Sequence, residues 1–260
     1  MSISVPPQSA LARPIDPSVP SNRFAVAGLL VGVIAARLSG RSWPASLGIG
    51  GAGFTAWATA RELDPDHPDT ANAALPLAAL VTLIGGPVNP LAGASVMSGL
   101  RVLAGTTGQV PTPADEAALG VQAGLAALTG ERFSAFVPGL ALLLSGKVQP
   151  QAAALALAPA LSPALRPGQG RSVAADLLSL AALGLAATLV APERISSKAD
   201  HGGHRLDDDQ IRLTRQLAAG ALALSLLGRQ SRSFVPLAAA AFNVGLRRTR
   251  LIKTGLIKIP

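Results

Sequence analysis

The sequence predicts an all-α protein, a polytopic transmembrane helix bundle of about ten spans, with eight as the lower count. Three observations carry this. Of 260 residues, 49% are hydrophobic and 14% charged, whereas a soluble domain needs about 25% charged residues to solvate its outside. The charges are gathered between long uncharged runs. Ala and Leu dominate, with 27 Gly and 21 Pro. That mix suits membrane helices, where Gly lets backbones approach and Pro is tolerated.

Residues 1–22 hold five prolines and several serines without an apolar run, which predicts a disordered tail. No basic segment leads straight into an apolar core, so no cleaved leader is expected and the first span serves as the insertion signal. The transmembrane domain is placed at 23–246. Its first span is 24–36. Residues 42–60 are 19 uncharged positions and form the second. Residues 70–100 are 31 uncharged positions, broken at Gly85-Gly86-Pro87 and Asn89-Pro90, and fold into two. The remaining spans are 117–130, 133–146, 148–165, 177–192, 216–228 and 233–246. A spanning helix takes about 17–25 residues, and several of these runs are shorter. They are read as spans because Arg and Lys flank them, whose long stems reach the interface, and because short turns join them into hairpins. Residues 247–260 form a basic juxtamembrane tail.

Trp43 and Trp57 lie near opposite ends of the second run, either as interfacial anchors or as ordinary packing. Small residues at Gly28/Gly32 and Gly120/Gly124 have the spacing of close helix contacts. Three hairpins look alike around Gly40, Gly130 and Gly228, each followed by a proline (Pro44, Pro138, Pro236). The second and third align without gaps at an offset of 98. This predicts tandem four-helix units in a 4+4+2 scheme, or else the likeness of composition alone.

With ten spans both termini share one side, here called side A. Side A holds 15 Lys and Arg against seven on side B, so side A is cytoplasmic by the positive-inside rule, and the chain is placed in a plasma membrane of bacterial type. Arg247, Arg248, Arg250, Lys253 and Lys258 alternate with apolar residues, which predicts contact with anionic lipid. The net charge of +8 invites a nucleic-acid partner, but the basic residues are scattered between apolar runs, and the absence of Tyr with only 2 Trp and 6 Phe leaves no stacking platform for bases, so none is expected. A membrane protein partner or a second copy of the chain stays open. The absence of Cys excludes disulfides, thiolate ligands and a Cys nucleophile.

Two loops could carry chemistry. One runs from Arg61 to Thr70, the other from Asp200 to Asp209. Together they hold all three histidines and seven of the ten aspartates. A divalent metal is one expectation, with Asp64, Asp66, His67, Asp200, His201, His204 and Asp208 as candidate ligands, since carboxylates suit Mg²⁺ or Ca²⁺ and imidazole shifts preference toward Zn²⁺. Such a site requires the two loops to meet. The other expectation is solvated connectors, with Asp69, Thr70 and Asp207–Asp209 capping helices. Three functions remain: a transporter-like or channel-like protein for a neutral or lipidic solute, a membrane enzyme acting on a lipid headgroup through the Asp/His loops, and a non-catalytic subunit of a membrane assembly.

Overall fold

The computed structural model describes residues 9–253, with side chains through residue 250. Eleven α-helices follow in order: α1 Pro20–Leu38, α2 Trp43–Leu63, α3 Pro68–Gly85, α4 Pro90–Ala104, α5 Pro113–Leu128, α6 Arg132–Ser145, α7 Pro150–Leu157, α8 Val173–Gly184, α9 Ala186–Leu189, α10 Asp208–Leu227 and α11 Val235–Lys253. No strand occurs among the described residues; Lys198 and Arg205 form an isolated bridge. The all-α expectation holds.

Much of the proline content is spent on helix starts. Helices α1, α3, α4, α5 and α7 each begin on a proline, whose fixed φ and missing N–H cost nothing at that position. Ser42, Asn89, Thr112, Ser172 and Asp207 cap the next helix with a side-chain oxygen. Thus Asn89-Pro90 is a plain cap, and Asn89 Nδ2 also donates to Thr129 Oγ1 at 2.7 Å.

The chain runs up and down, and its connectors alternate between two ends. At one end the turn after α5 meets the α7–α8 connector and the α10–α11 turn: Gln230 Nε2 donates to the Gly130 carbonyl at 2.6 Å, and the Gln169 N–H donates to Glu131 Oε1 at 2.6 Å. At the other, the α2–α3 loop meets the α9–α10 connector. These are sides B and A. Helix α11 packs between α2, α3 and α8. Leu237, Ala238, Ala239, Ala240, Ala241 and Val244 are all buried, so its first half hides every face, as a core helix does.

Only α1, among the described residues, is both long and apolar enough to cross a bilayer by itself. Residues Pro90–Ala104, Arg132–Ser145, Pro150–Leu161 and Val173–Gly184 are apolar but shorter. Helix α10 starts at Asp208, eight residues before the uncharged run, because Asp207 caps it and its charged first turns continue the helix. Helix α11 likewise runs on through Lys253, so Arg247, Arg248 and Arg250 of the basic juxtamembrane segment lie in its last turns. Lys258 lies outside the described residues. The N-terminal tail is not loose throughout. Ser9 and Ala10 are held by Asp115, Ala10 N donating at 3.1 Å, and Ala10 is buried.

Trp57 is buried and donates to Ser21 Oγ at 3.0 Å, so it packs, whereas Trp43 is exposed with Arg37 over its ring. The first small-residue pair makes tight contacts, Gly32 facing the Gly50 backbone; Gly120 faces open space. The three similar hairpins share one helix ending. Arg41, Glu131 and Gln230 N–H groups bond to carbonyls five residues back, and Gly40, Gly130 and Arg229 N–H groups to carbonyls three back, which is the Schellman pattern. The left-handed residue is therefore Gly40, Gly130 and Arg229, at φ 79°, 85° and 57°. The third turn has its glycine one position early. Gly228 is needed there because the Phe133 ring lies where a Cβ would stand.

Candidate functional site

Side A gathers most of the buried charge. Helix α2 ends on Glu62-Leu63-Asp64, and α3 restarts after His67. Asp64 is fully buried and accepts two bonds from Arg247, Nε at 2.7 Å and Nη2 at 3.0 Å. His67 Nδ1 stands 3.0 Å from the same carboxylate, and its Nε2 lies 3.4 Å from Arg247 Nη1. These partners imply that His67 donates from Nδ1 and accepts at Nε2. Glu193, in the α9–α10 connector, accepts from Arg215 Nη2 at 2.8 Å, from Arg247 Nη2 at 3.0 Å and from Arg248 Nη1. Burial pushes the Glu193 carboxyl up, and Arg215, Arg248 and Arg247 outweigh it, holding it below the usual carboxylate range. Arg215 Nε also donates to the Leu63 carbonyl at 2.7 Å, and Arg248 Nε to the Thr188 carbonyl at 2.7 Å. Three guanidiniums thus share two carboxylates.

A second cluster lies alongside. Glu62 is fully buried, accepting from Arg101 Nε at 2.7 Å and from Thr106 Oγ1. Arg13 approaches it at 3.6 Å and binds Asp200 at 2.6 Å. Arg101 Nη1 donates to the Leu11 carbonyl at 2.7 Å. The N-terminal segment therefore closes over this ion pair.

The seven residues expected to hold a metal are distributed as follows. Asp64 and His67 are in contact, within the arginine network. Asp66 accepts from Ser196 N at 2.8 Å and Ser197 N at 2.7 Å, so the first loop meets the connector just ahead of the second. Burial raises the Asp66 carboxyl, and its bonds from Ser197 and Ser196 outweigh this and hold it low. Asp208 accepts from Ile195 N at 2.8 Å and from Arg205. Asp200 is bound to Arg13. His201 Nδ1 lies 3.1 Å from the Thr107 carbonyl, and His204 is exposed in the turn. Among the described residues no group of three or more His, Cys, Asp or Glu is placed to hold a metal ion. The carboxylates are drawn apart because each has found its own guanidinium or backbone N–H.

Arg101, Arg215, Arg247 and Arg248, with Glu62 and Glu193, were not among the sequence candidates. Arg215 left a signal. Ile211, Arg215, Ala218, Leu222 and Ser225 repeat at three- and four-residue steps, so Arg215 sits on the buried face of α10. Nothing local marks Glu193.

Beside the network a cavity of about 390 Å³ opens between the start of α3 and the end of α11. Its polar lining is His67, Asp69, Thr70, Asn243, Arg247 and Arg250, and its apolar lining is Ala73 and Leu246. A second groove, of about 360 Å³, lies on the flank of α1, α2 and α3 and is lined almost wholly by apolar side chains. Compared with known proteins, the chain matches no family model, no curated protein and no solved structure.

Proposed function

We propose that the chain is a multi-pass integral membrane protein, with about ten spans and cytoplasmic termini, that takes a lipidic solute through the flank of its bundle in a transporter-like role. The observation that carries this is the groove between α1, α2 and α3. Phe24, Val31, Ala35, Ile49, Leu80 and Leu83 line it, and Phe24, Val31 and Leu80 are themselves exposed. It opens sideways onto a belt of exposed aliphatics rather than toward either charged end. That belt continues round the bundle as Leu30 and Ile34, Ile84, Val121 and Leu125, Leu143 and Leu144, Leu155, Leu177 and Leu180, and Leu224. Such a surface is costly in water at about 25 cal/mol per Å² and is ordinary in hydrocarbon.

The charge-free stretch of most helices is short. Residues 24–36 of α1 and 235–246 of α11 are 13 and 12 positions, about 18–20 Å at 1.5 Å each, against a hydrocarbon core of about 30 Å. Flanking Arg and Lys stems and local thinning make up the difference.

The absence of Cys makes the topology testable without background labelling. In intact cells an impermeant thiol reagent labels Ser39→Cys, and labels His204→Cys only after permeabilisation. A chain that stays in solution without detergent would sink the membrane reading. For the solute, a photoactivatable phospholipid is expected to crosslink within α1 and α3, and Ala27→Trp, which fills the groove, is expected to reduce that crosslinking severalfold. Unchanged crosslinking in the Trp variant removes the groove from the function.

A further inference from the structure

Residues 9–13 lie ahead of α1 and belong to no helix, yet several elements hold them at once. Ser9 Oγ and Ala10 N donate to the Asp115 carboxylate at the start of α5. Thr107 Oγ1 donates to the Ala10 carbonyl at 3.3 Å, and Arg101 Nη1 to the Leu11 carbonyl at 2.7 Å. Arg13 reaches Asp200 in the α9–α10 connector. Ala10 is buried among Val102, Leu119, Leu142, Ala153 and Ala156, and Leu11 packs against them. The segment is thus a strap lying in a cleft on side A, with Glu62 at its foot.

The cleft does not depend on its occupant. Asp115 also accepts from Thr112 N and Thr112 Oγ1, both at 2.9 Å, in the capping box of α5. Glu62 keeps Arg101 Nε at 2.7 Å and Thr106 Oγ1. Asp200 N donates to the Thr106 carbonyl at 3.0 Å and His201 N to the Thr107 carbonyl at 3.1 Å, so the connector stays attached to the α4–α5 loop without the strap. The Asp200 side chain is 27% exposed, so water can take the place of Arg13. Arg101 Nη1 loses the Leu11 carbonyl and is wetted by the same movement. Lifting the strap therefore strands no buried charge. The Asp64–Glu193 network is the opposite case, since loss of Arg247 leaves a buried carboxylate short of its partner.

The strap is also imperfectly seated. Arg13 Nη1 is buried with no hydrogen-bond partner, 3.6 Å from Glu62, and Arg61 stands close enough to repel it. A buried donor left without an acceptor offsets part of what the other bonds contribute. A segment with two apolar anchors and several half-exposed bonds opens at lower free energy than the helices beneath it.

We propose that residues 9–13 form a releasable strap, and that its release opens side A down to the buried Glu62–Arg101 pair. With the strap in place the Glu62 carboxylate is fully hidden. With it lifted, a carboxylate and a guanidinium stand at the foot of a cleft walled by Val102, Leu119 and Leu142. The inference concerns side A alone and rests neither on the flank groove nor on transport.

The test uses the full chain in mild detergent and two readouts. The first is hydrogen exchange of the wild type. The Ala10, Leu11 and Ala12 amides, bound to Asp115 and Ser9, are expected to exchange at least about a hundredfold faster than those of Leu100, Val102 and Leu103 in α4. Equal rates would mean that the strap leaves only when the bundle unfolds, and would overturn the proposal. The second is amidation of carboxylates by a carbodiimide with glycine ethyl ester, located by mass spectrometry. Arg13→Glu sets a carboxylate against Glu62 and Asp200, whereas Arg13→Lys keeps the charge. Labelling of Glu62 is expected to rise at least about tenfold in Arg13→Glu and to stay near the wild-type level in Arg13→Lys, with helix content unchanged in both. Unchanged Glu62 labelling in a folded Arg13→Glu chain overturns the proposal, as does a rise that comes only with loss of helix content. If Arg13→Glu fails to fold, the exchange rates of the wild type decide.

Discussion

Replacing Asp64 by Asn keeps the shape of the side chain and removes its charge. The carboxylate accepts two N–H groups from Arg247, at 2.7 and 3.0 Å, contacts His67 at 3.0 Å and lies 3.8 Å from Arg215. Asn can keep one accepting oxygen, but its NH₂ then faces a guanidinium. A hydrogen bond to a charged group contributes about 1.5–3 kcal/mol, and removing one partner of a buried pair costs about 3–5 kcal/mol because the other is stranded. Here the stranding is worse than usual, since three guanidiniums would share Glu193 alone. The expected loss is about 3–5 kcal/mol, a large part of a typical stability of about 5–15 kcal/mol. Unfolding by urea in detergent measures it, followed through the fluorescence of Trp57, which is buried near this end. The double variant Asp64→Asn with Arg247→Met takes away the stranded charge and is expected to recover more than half of the loss. A loss below about 1 kcal/mol for Asp64→Asn alone, or no recovery in the double variant, would refute the pairing.

Arg229→Gly relieves a left-handed position at φ 57° and is expected to stabilise by about 1 kcal/mol, whereas Gly228→Ala meets the Phe133 ring and is expected to cost about 1–3 kcal/mol; thermal midpoints of the two variants should move in opposite directions. Asp66 and Glu193 are held below ordinary carboxylate values, so each contributes stability that is complete above a pH of about 4 and is lost as pH falls through the lower folded value. Asp66→Asn should flatten that acid loss. Glu131 has the opposite sign: burial raises it, the Gln169 N–H, Ser233 and Arg232 offset only part of this, and Oε2 has no hydrogen-bond partner. Stability associated with Glu131 should therefore decline as pH rises from the ordinary carboxylate range through the raised value, and Glu131→Gln should stabilise at neutral pH in a pH series of unfolding midpoints. Addition of Mg²⁺ or Zn²⁺ is expected to leave the midpoint unchanged, because the loop carboxylates already have partners; a rise that His204→Ala abolishes would restore a shared metal centre.

The helices were legible through their uncharged runs, which locate their middles, whereas Pro20, Pro68 and Pro113 begin α1, α3 and α5 a few residues ahead of the runs at 24, 70 and 117. That the two Asp/His loops fall at the same end was legible as a consequence of alternating hairpins. Their partners were not. Asp64 and Arg247 are 183 positions apart, and a spacing of that kind leaves no trace in a local pattern. A run of acids and histidines looks like a ligand set only until the arginines that neutralise it are placed. The start of α10 was missed for a related reason, since a charged stretch reads as a loop when its cap at Asp207 and its buried stripe through Arg215 are weighed separately. Gly228 shows the limit of motif alignment. It matches Gly130 in the sequence, yet serves the Phe133 ring and not the turn.

Helix α11, which packs against α2, α3, α8, α9 and α10, follows all of them in chain order. During synthesis the earlier hairpins must wait with their inward faces unfilled, since no earlier segment can substitute for Leu237–Val244. Assembly is then a closing step made across the whole length of the chain, and contacts of such long sequence separation form slowly. Arg247 and Arg248 lie near the end of α11, so Asp64 and Glu193 gain these two guanidiniums late. Until that final turn docks, Asp64 lacks the two bonds from Arg247, and Glu193 is left with Arg215 alone.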